Sequence, residues 1–203
     1  MKTANKIHFS GRTRKVAITG IFAAVAIVLM YLEIPLPLMP SFLKFDFSEI
    51  PVLIIGFALG PISAVVVELI KNLAHYPVSQ SAGVGEIANF VMGCALVVPA
   101  SVIYRLVKSR TGAIVGMITG TLTMTVVACV GNYFVMIPFY ANVMGFPVAA
   151  IVGMAQSVGN KMVTDLWTLI LFVFAPFNLF KGLVVSIIVL LVYKKISHLL
   201  HKT

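Results

Sequence analysis

Long apolar runs, separated by short polar or proline-containing breaks, make up most of the chain. Six runs are candidates for membrane-spanning helices, and they cover residues 16–32, 48–60, 61–75, 86–107, 112–138 and 176–195. A helix needs about 20 apolar residues to cross the hydrocarbon core of a bilayer, so the second and third runs are short for a full crossing. These two are divided by Gly60–Pro61, where a helix is expected to break. The pattern predicts a bundle of six transmembrane helices.

Two connecting segments interrupt this pattern. Residues 33–47 carry three prolines and only short apolar pieces, which predicts an extracellular loop that folds over the bundle as a lid. Residues 139–175 begin with polar positions and end in an apolar run of ten residues, 166–175. At about 1.5 Å per residue, that run is too short to cross a bilayer by itself. We therefore expect 139–175 to form an extracellular or re-entrant helical loop that leads into the last span.

Composition indicates the solvent around the chain, and the distribution of charge indicates how the chain is oriented in the membrane. Hydrophobic residues make up 60% of the chain and charged residues only 10%, so lipid is the expected solvent. If both termini are cytoplasmic, the inner segments hold 11 of the 15 basic residues and none of the six acidic ones. By the positive-inside rule, the sequence predicts an all-α integral membrane protein, one multi-pass plasma-membrane domain with both termini in the cytoplasm. The 11 residues are Lys2, Lys6, Arg12, Arg14, Lys15, Arg105, Lys108, Arg110, Lys194, Lys195 and Lys202.

The polar residues of the predicted helices gather near the external face. Asn178 and Lys181 lie one turn apart at the outer start of the sixth span, and Asn132 lies near the outer end of the fifth. Polar groups within a bilayer usually face the bundle interior or a water-filled cavity and often mark a substrate path. The sequence therefore predicts an outward-facing pocket beneath the lid. The predicted ligand-binding residues are Asn132, Asn178, Lys181, Lys44, Phe45, Glu86 and Asn89.

Lys181 carries the strongest argument for a ligand. It has no acidic neighbour in sequence, and it lies close to a helix start, where the helix dipole is already positive. We expect an acceptor-rich ligand to offset the cost of burying it there.

Other polar and aromatic residues at this end have structural alternatives. Glu68 and Lys71 are expected to pair at i,i+3 as a structural ion pair, and Asn89 could make an ordinary interhelical hydrogen bond. The aromatic residues suit either a pocket for a flat heterocycle or an interfacial aromatic belt. The residues that could be solvated interfacial charges are Lys44, Asp46, Lys71 and Glu86. The aromatic residues are Phe45, Phe47, Tyr133, Phe134, Trp167, Phe177 and Phe180.

Stripes of small residues mark two of the predicted spans. Gly112, Gly116 and Gly120 form a G-x-x-x-G-x-x-x-G pattern on the fifth span, which we interpret as internal helix packing. Ala17, Gly20 and Ala24 form a stripe on the first span that could face another membrane protein.

Several function classes find no support in the sequence. It contains no G-x-x-x-x-G-K-[ST] nucleotide loop and no H-E-x-x-H zinc motif, and its four histidines are predicted in tails or a loop. We therefore expect no enzyme activity, no metal and no cofactor. The net charge of +9 is explained by orientation and by attraction to anionic lipid headgroups, so no nucleic-acid partner is expected.

Three segments resemble one known family. KFDFSEIPVLIIGFALGPISAVVVELIKNLAHYP at 44–77, GNYFVMIPFY at 131–140 and APFNLFKGLVVSIIVLLVYKKIS at 175–197 are similar to the riboflavin-specific S components of energy-coupling-factor (ECF) transporters. The resemblance covers most of residues 12–197 in order.

This resemblance implies a function, partners and roles for residues. Such proteins bind riboflavin from outside and pair with a transmembrane coupling protein and two ABC ATPase subunits. By analogy, Asn132, Asn178 and Lys181 contact the polar edge and the ribityl chain of riboflavin, which is the transported ligand and not a cofactor. The small-residue surface that docks the coupling protein falls at Ala17, Gly20, Ala23 and Ala24, where G-x-x-x-A replaces the family's A-x-x-x-A.

Alternatives stay open at this point. The chain could be an S component for another vitamin or small heterocycle, and acceptance of flavin mononucleotide (FMN) is undecided. An integral membrane enzyme acting on lipid would need an acid or base among Glu68, Glu86 and Asp165, for which the sequence offers no matched partner. A structural or assembly protein would explain only the small-residue stripes.

Overall fold

The computed structural model describes residues 11–200 except positions 38 and 41, and it describes side chains through residue 192. Three of the predicted cytoplasmic basic residues, Lys2, Lys6 and Lys202, lie outside the described residues, as do the side chains of Lys194 and Lys195. The histidines at 8, 198 and 201 are outside the described side chains as well.

The described chain is mainly helical, with one short hairpin in the lid. The helices are α1 Gly11–Tyr31, α2 Glu49–Leu59, α3 Pro61–His75, α4 Val84–Leu106, α5 Arg110–Gly131, α6 Ile137–Asn142, α7 Val148–Ser157, α8 Leu166–Leu169 and α9 Ala175–Leu200. A 3₁₀ turn covers Tyr76–Val78, and the antiparallel strands are β1 Ile34–Pro35 and β2 Lys44–Phe45.

Within the part of the chain that the structure describes, four continuous helices are long and apolar enough to cross a membrane. They are Gly11–Tyr31, Val84–Leu106, Arg110–Asn142 and Leu166–Val192. α2 and α3 are shorter, with 11 and 15 residues. They meet at Gly60, whose positive φ of 96° suits a residue without a side chain, and Pro61 starts α3. The predicted break is therefore confirmed, whereas the count of six crossings and the orientation of the termini stay predictions.

The last long helix begins ten residues earlier than the sequence analysis expected. Asp165 caps its start by accepting a hydrogen bond from the Thr168 backbone N–H at 2.8 Å. From Leu166 the helix passes through a π-helical turn at Ile170–Phe174 directly into α9. The ten-residue run at 166–175 is thus the first part of one long helix and not a separate segment that ends before 176.

The remainder of the 139–175 segment is also more helical than a loop. α5 continues through a second π-helical turn, Asn132–Met136, into α6, so this helix ends at Asn142 and not at 138. α7 then lies between it and the last helix. The buried side chains of this region form their own apolar cluster, which includes Ile137, Ile151 and Val173.

α4 and α5 approach each other closely because of the glycine stripe on α5. A Cβ at Gly116 would lie 2.6 Å from the Ala100 carbonyl oxygen of α4, and one at Gly120 would lie 2.2 Å from that of Leu96. No real Cβ atom sits so close to a carbonyl oxygen, so only glycine permits this distance between the two backbones. The interpretation of this stripe as internal packing is confirmed.

Candidate functional site

One cavity of about 630 Å³ lies among the lid and the ends of α1, α3, α4, α5 and α9. Its size falls within the range typical of small-molecule sites, about 300–1,000 Å³. Six of the seven predicted ligand-binding residues line it: Lys44, Glu86, Asn89, Asn132, Asn178 and Lys181. Side chains that are far apart in sequence therefore meet at one site, as predicted.

The two asparagines most strongly predicted to bind ligand lie at or just after the π-helical turns. Asn132 is the first residue of one turn, and its amide donates to the Ala128 carbonyl oxygen at 2.8 Å. Asn178 follows the other turn, and its amide donates to the Phe174 carbonyl oxygen, also at 2.8 Å. Each amide retains a second N–H and a carbonyl oxygen for which the described residues supply no hydrogen bond. Both amides can therefore donate to and accept from a guest in the cavity.

Lys181 is neutralised by the protein itself, which corrects the expectation that a ligand must offset its burial. Its Nζ donates to Asp46 Oδ2 of the lid at 2.8 Å, and both side chains are buried. The partner lies 135 residues away, so local sequence could not reveal it. Lys181 thus has two roles in the geometry, as a cavity-lining donor and as an anchor for the lid.

Asp46 keeps its charge in this setting. Burial raises the pKa of its carboxyl, but the nearby ammonium groups of Lys181 and Lys71 outweigh burial and hold the pKa well below the usual value of 3.8. A lowered carboxyl pKa adds stability that is present above the unfolded-state pKa and is lost only as the pH falls through the folded-state value. The ion pair therefore persists through the neutral range and fails only in strong acid.

A second charged network ties the lid to the bundle at the cavity mouth. Lys44 Nζ lies 2.5 Å from Glu33 Oε2, and Glu33 Oε1 lies 3.5 Å from His75 Nε2 on α3. His75 Nδ1 in turn lies 3.0 Å from Glu86 Oε1 on α4, while Ser79 donates to the other oxygen of Glu86 at 2.6 Å. Lys44 and Glu86 therefore line the cavity as paired groups and are not isolated interfacial charges.

Phe45 is the one predicted ligand-binding residue that the cavity does not include. Its ring packs against Phe47 and Phe180, and the residue is 3% exposed, so it belongs to the apolar interior of the lid. Of the other aromatic residues in the alternative interpretations, Phe177 lines the cavity, whereas Trp167 is 65% exposed on the outer surface. The aromatic residues thus divide between cavity, core and an outward-facing belt.

Methionine side chains form much of the apolar lining, which the sequence analysis missed. An unbranched thioether adapts its shape to a guest and makes favourable contacts with aromatic rings. Methionine is common in apolar helices, so no sequence signal separated these residues from ordinary core positions. They are Met30, Met92, Met124, Met136, Met144 and Met154.

The predicted docking stripe on α1 is mostly an open surface. Ala17, Gly20 and Ala24 are exposed, and a Cβ at Gly20 would meet nothing within 4 Å. Ala23 is only 3% exposed and packs in the main apolar core. Ala24, about 100° further around the helix, is exposed instead. Ala23 therefore offers little surface to a partner in this structure, and docking at this stripe stays a prediction.

The family model for the substrate-specific component of ECF transporters matches residues 14–193. The chain belongs to this family. S components are transport proteins, which confirms that the chain is not an enzyme and that it is a multi-pass plasma-membrane protein. Among the described residues, no group of His, Cys, Asp or Glu side chains could hold a metal ion.

Known relatives of this S component are similar over nearly its full length. Riboflavin transporter RibU of Staphylococcus aureus is 33% identical, with 100% of both chains covered. Riboflavin transporter FmnP of Bacillus subtilis is 30% identical, with 92% of this chain and 93% of the relative covered. A solved structure described as the S component of a bacterial ECF transporter has a TM-score of 0.73 and 32% identity, covering 93% of this chain and 98% of that one.

Proposed function

We propose that this S component captures riboflavin at the outer face of the membrane for ATP-driven uptake. The energy comes from a transmembrane coupling protein and two ABC ATPase subunits, as the family implies. In this proposal α2 and α3 supply the second and third of six crossings, both termini are cytoplasmic, and the lid faces outward. The names of the full-length relatives support riboflavin as the ligand.

The observation that carries the proposal is the convergence of Asn132, Asn178 and Lys181 on one cavity of suitable size. The dione edge of riboflavin presents two carbonyl oxygens and one N–H. The two amides offer both donors and acceptors, and the ammonium offers donors only. A buried group left unpaired costs about 1–3 kcal/mol, so a ligand that satisfies all three side chains is favoured over an apolar ring of similar size.

Direct binding tests this function. The purified protein is expected to carry or bind riboflavin, which is measured by quenching of flavin fluorescence and by mass spectrometry of the small molecules that co-purify. Asn178→Ala is expected to weaken binding by roughly 5- to 150-fold, because about 1–3 kcal/mol of hydrogen bonding is lost.

Asn160→Ala is the matched control. Its amide also donates to a helix carbonyl, that of Phe172 at 3.3 Å, but Asn160 is not part of the cavity lining. Riboflavin affinity should be unchanged in this variant. A preparation that carries a different heterocycle and ignores riboflavin would support the alternative, an S component for another vitamin.

Docking of the coupling protein is expected on the exposed stripe of Ala17, Gly20 and Ala24. Gly20→Leu places a large side chain where close backbone approach is needed, and it should abolish co-purification with the coupling protein while leaving riboflavin affinity unchanged. Gly153→Leu on α7 is the control, since a Cβ at Gly153 also meets nothing within 4 Å. Equal recovery of the complex in both variants would rule out this face of α1.

A further inference from the structure

Lys71 is a fully buried lysine. The sequence leaves two interpretations open for it, a structural ion pair with Glu68 or a solvated interfacial charge. It is 0% exposed, and its Nζ lies 3.1 Å from Glu68 Oε1, so the predicted i,i+3 ion pair is confirmed and the solvated alternative is wrong. A closer carboxylate comes from another helix: Glu49 Oε1 at the start of α2 accepts a hydrogen bond at 2.6 Å. The same ammonium donates to Ser48 Oγ at 2.8 Å.

These contacts join α3 to the segment where the lid ends and α2 begins. The Ser48 backbone N–H donates to Asp46 Oδ1 at 2.8 Å, and the other oxygen of Asp46 accepts from Lys181 at 2.8 Å. A continuous series of hydrogen bonds therefore runs from Lys71 through Ser48 and Asp46 to Lys181. Glu49, the other partner of Lys71, itself lines the cavity.

The two lysines have different positions with respect to the cavity. Lys181 lines it, whereas Lys71 does not, so a guest can touch only the first. Burying an ammonium group is unfavourable unless opposite charges and acceptors surround it, and Lys71 has three such partners on two separate elements. Pure stabilisation of α3 would need only Glu68, which lies on the same helix. The contacts to Ser48 and Glu49 instead hold the base of the lid, residues 46–49, in one position.

We propose that Lys71 is a positioning residue for ligand capture, which holds the base of the lid so that Asp46 directs the Lys181 ammonium into the cavity. This inference rests on the proposed riboflavin binding. Without the Lys71 ammonium, Ser48 and Glu49 lose their common donor. The Ser48 backbone N–H is then no longer held in the position from which it donates to Asp46. Lys181 would then remain paired with Asp46, but its ammonium group would be displaced from the position where it can donate to the ligand.

The test is a double-mutant cycle with riboflavin as the probe. Lys71→Met is expected to raise the riboflavin dissociation constant at least tenfold, measured by fluorescence quenching. In a Lys181→Met background, the same change should add less than a threefold loss, since Lys71 acts through Lys181. Losses that multiply independently would show a merely structural role and overturn the proposal.

Two milder variants keep the test decisive if Lys71→Met does not fold. Ser48→Ala removes one link of the series while leaving every charge in place, and it should weaken riboflavin binding at least threefold. Thr125→Val is the control: it removes a buried hydroxyl that donates within α5 to the Thr121 carbonyl oxygen at 2.8 Å and does not line the cavity, so affinity should stay within twofold of the unmodified protein.

The outcomes separate this inference from the proposed function. Failure of the unmodified protein to bind riboflavin refutes the function and with it the inference. Normal binding by the unmodified protein together with unchanged binding in Ser48→Ala refutes the positioning role alone.

Discussion

Lys181→Met is expected to raise the riboflavin dissociation constant by about a hundredfold or more and to lower the melting temperature as well. Truncating one partner of a buried, hydrogen-bonded charge pair costs about 2–5 kcal/mol, largely because the other charge is left buried and unpaired. Here that charge is Asp46, which lies 2.8 Å from the Lys181 ammonium. Affinity is measured by fluorescence quenching, and stability by the thermal loss of monodisperse protein in detergent.

Two further variants separate the effects on affinity and stability. Lys181→Met combined with Asp46→Asn removes the unpaired charge, so it should recover much of the melting temperature without recovering riboflavin affinity. Lys161→Met removes a lysine from the exposed surface and should change neither quantity. Wild-type affinity in Lys181→Met would exclude this side chain from the ligand site.

Gly120→Val is expected to cause a large loss of stability. Even the first carbon of the new side chain would lie 2.2 Å from the Leu96 carbonyl oxygen, so α4 and α5 must separate or the bundle must misfold. Overpacking of this kind typically costs about 1–3 kcal/mol and occasionally more. The backbone oxygen has no rotamer by which to move aside, which favours the upper end of that range.

Gly131→Ala on the same helix is the matched control. A Cβ at this position meets nothing within 4 Å, and alanine is a better helix former than glycine by about 1 kcal/mol. This variant should therefore be at least as stable as the unmodified protein in the same thermal assay. Equal stability of Gly120→Val and Gly131→Ala would contradict the close packing of α4 and α5.

Much of the architecture could be predicted because lipid imposes strong constraints on sequence. A chain in hydrocarbon must satisfy its backbone hydrogen bonds internally, so apolar runs become helices, and Gly60–Pro61 becomes a break between two of them. The same reasoning placed Asn132, Asn178 and Lys181 at one depth, and they line one cavity. Their binding of riboflavin stays a prediction until it is measured.

Two features of the structure differ from what the sequence predicts, for different physical reasons. The sequence predicts that the last helix starts at 176 because the run at 166–175 is too short to cross a bilayer by itself, whereas a π-helical turn joins this run to the following apolar residues. Phe45 is predicted in the ligand site because aromatic residues suit flat guests, but its ring packs against Phe47 and Phe180 and does not line the cavity. The length of the helix is therefore decided by residues adjacent in sequence, whereas the surroundings of Phe45 are decided by neighbours that folding brings together.

Periodicity, hydropathy and charge act locally along the chain, so the amino-acid sequence is sufficient to predict a helical membrane protein with polar side chains near one face. The pairing of opposite charges, by contrast, follows from the three-dimensional fold. Asp46 lies 135 positions from Lys181, and Ser48 lies 23 from Lys71, so no local pattern could pair them. Buried ions require such partners, and their choice depends on how the helices pack in three dimensions.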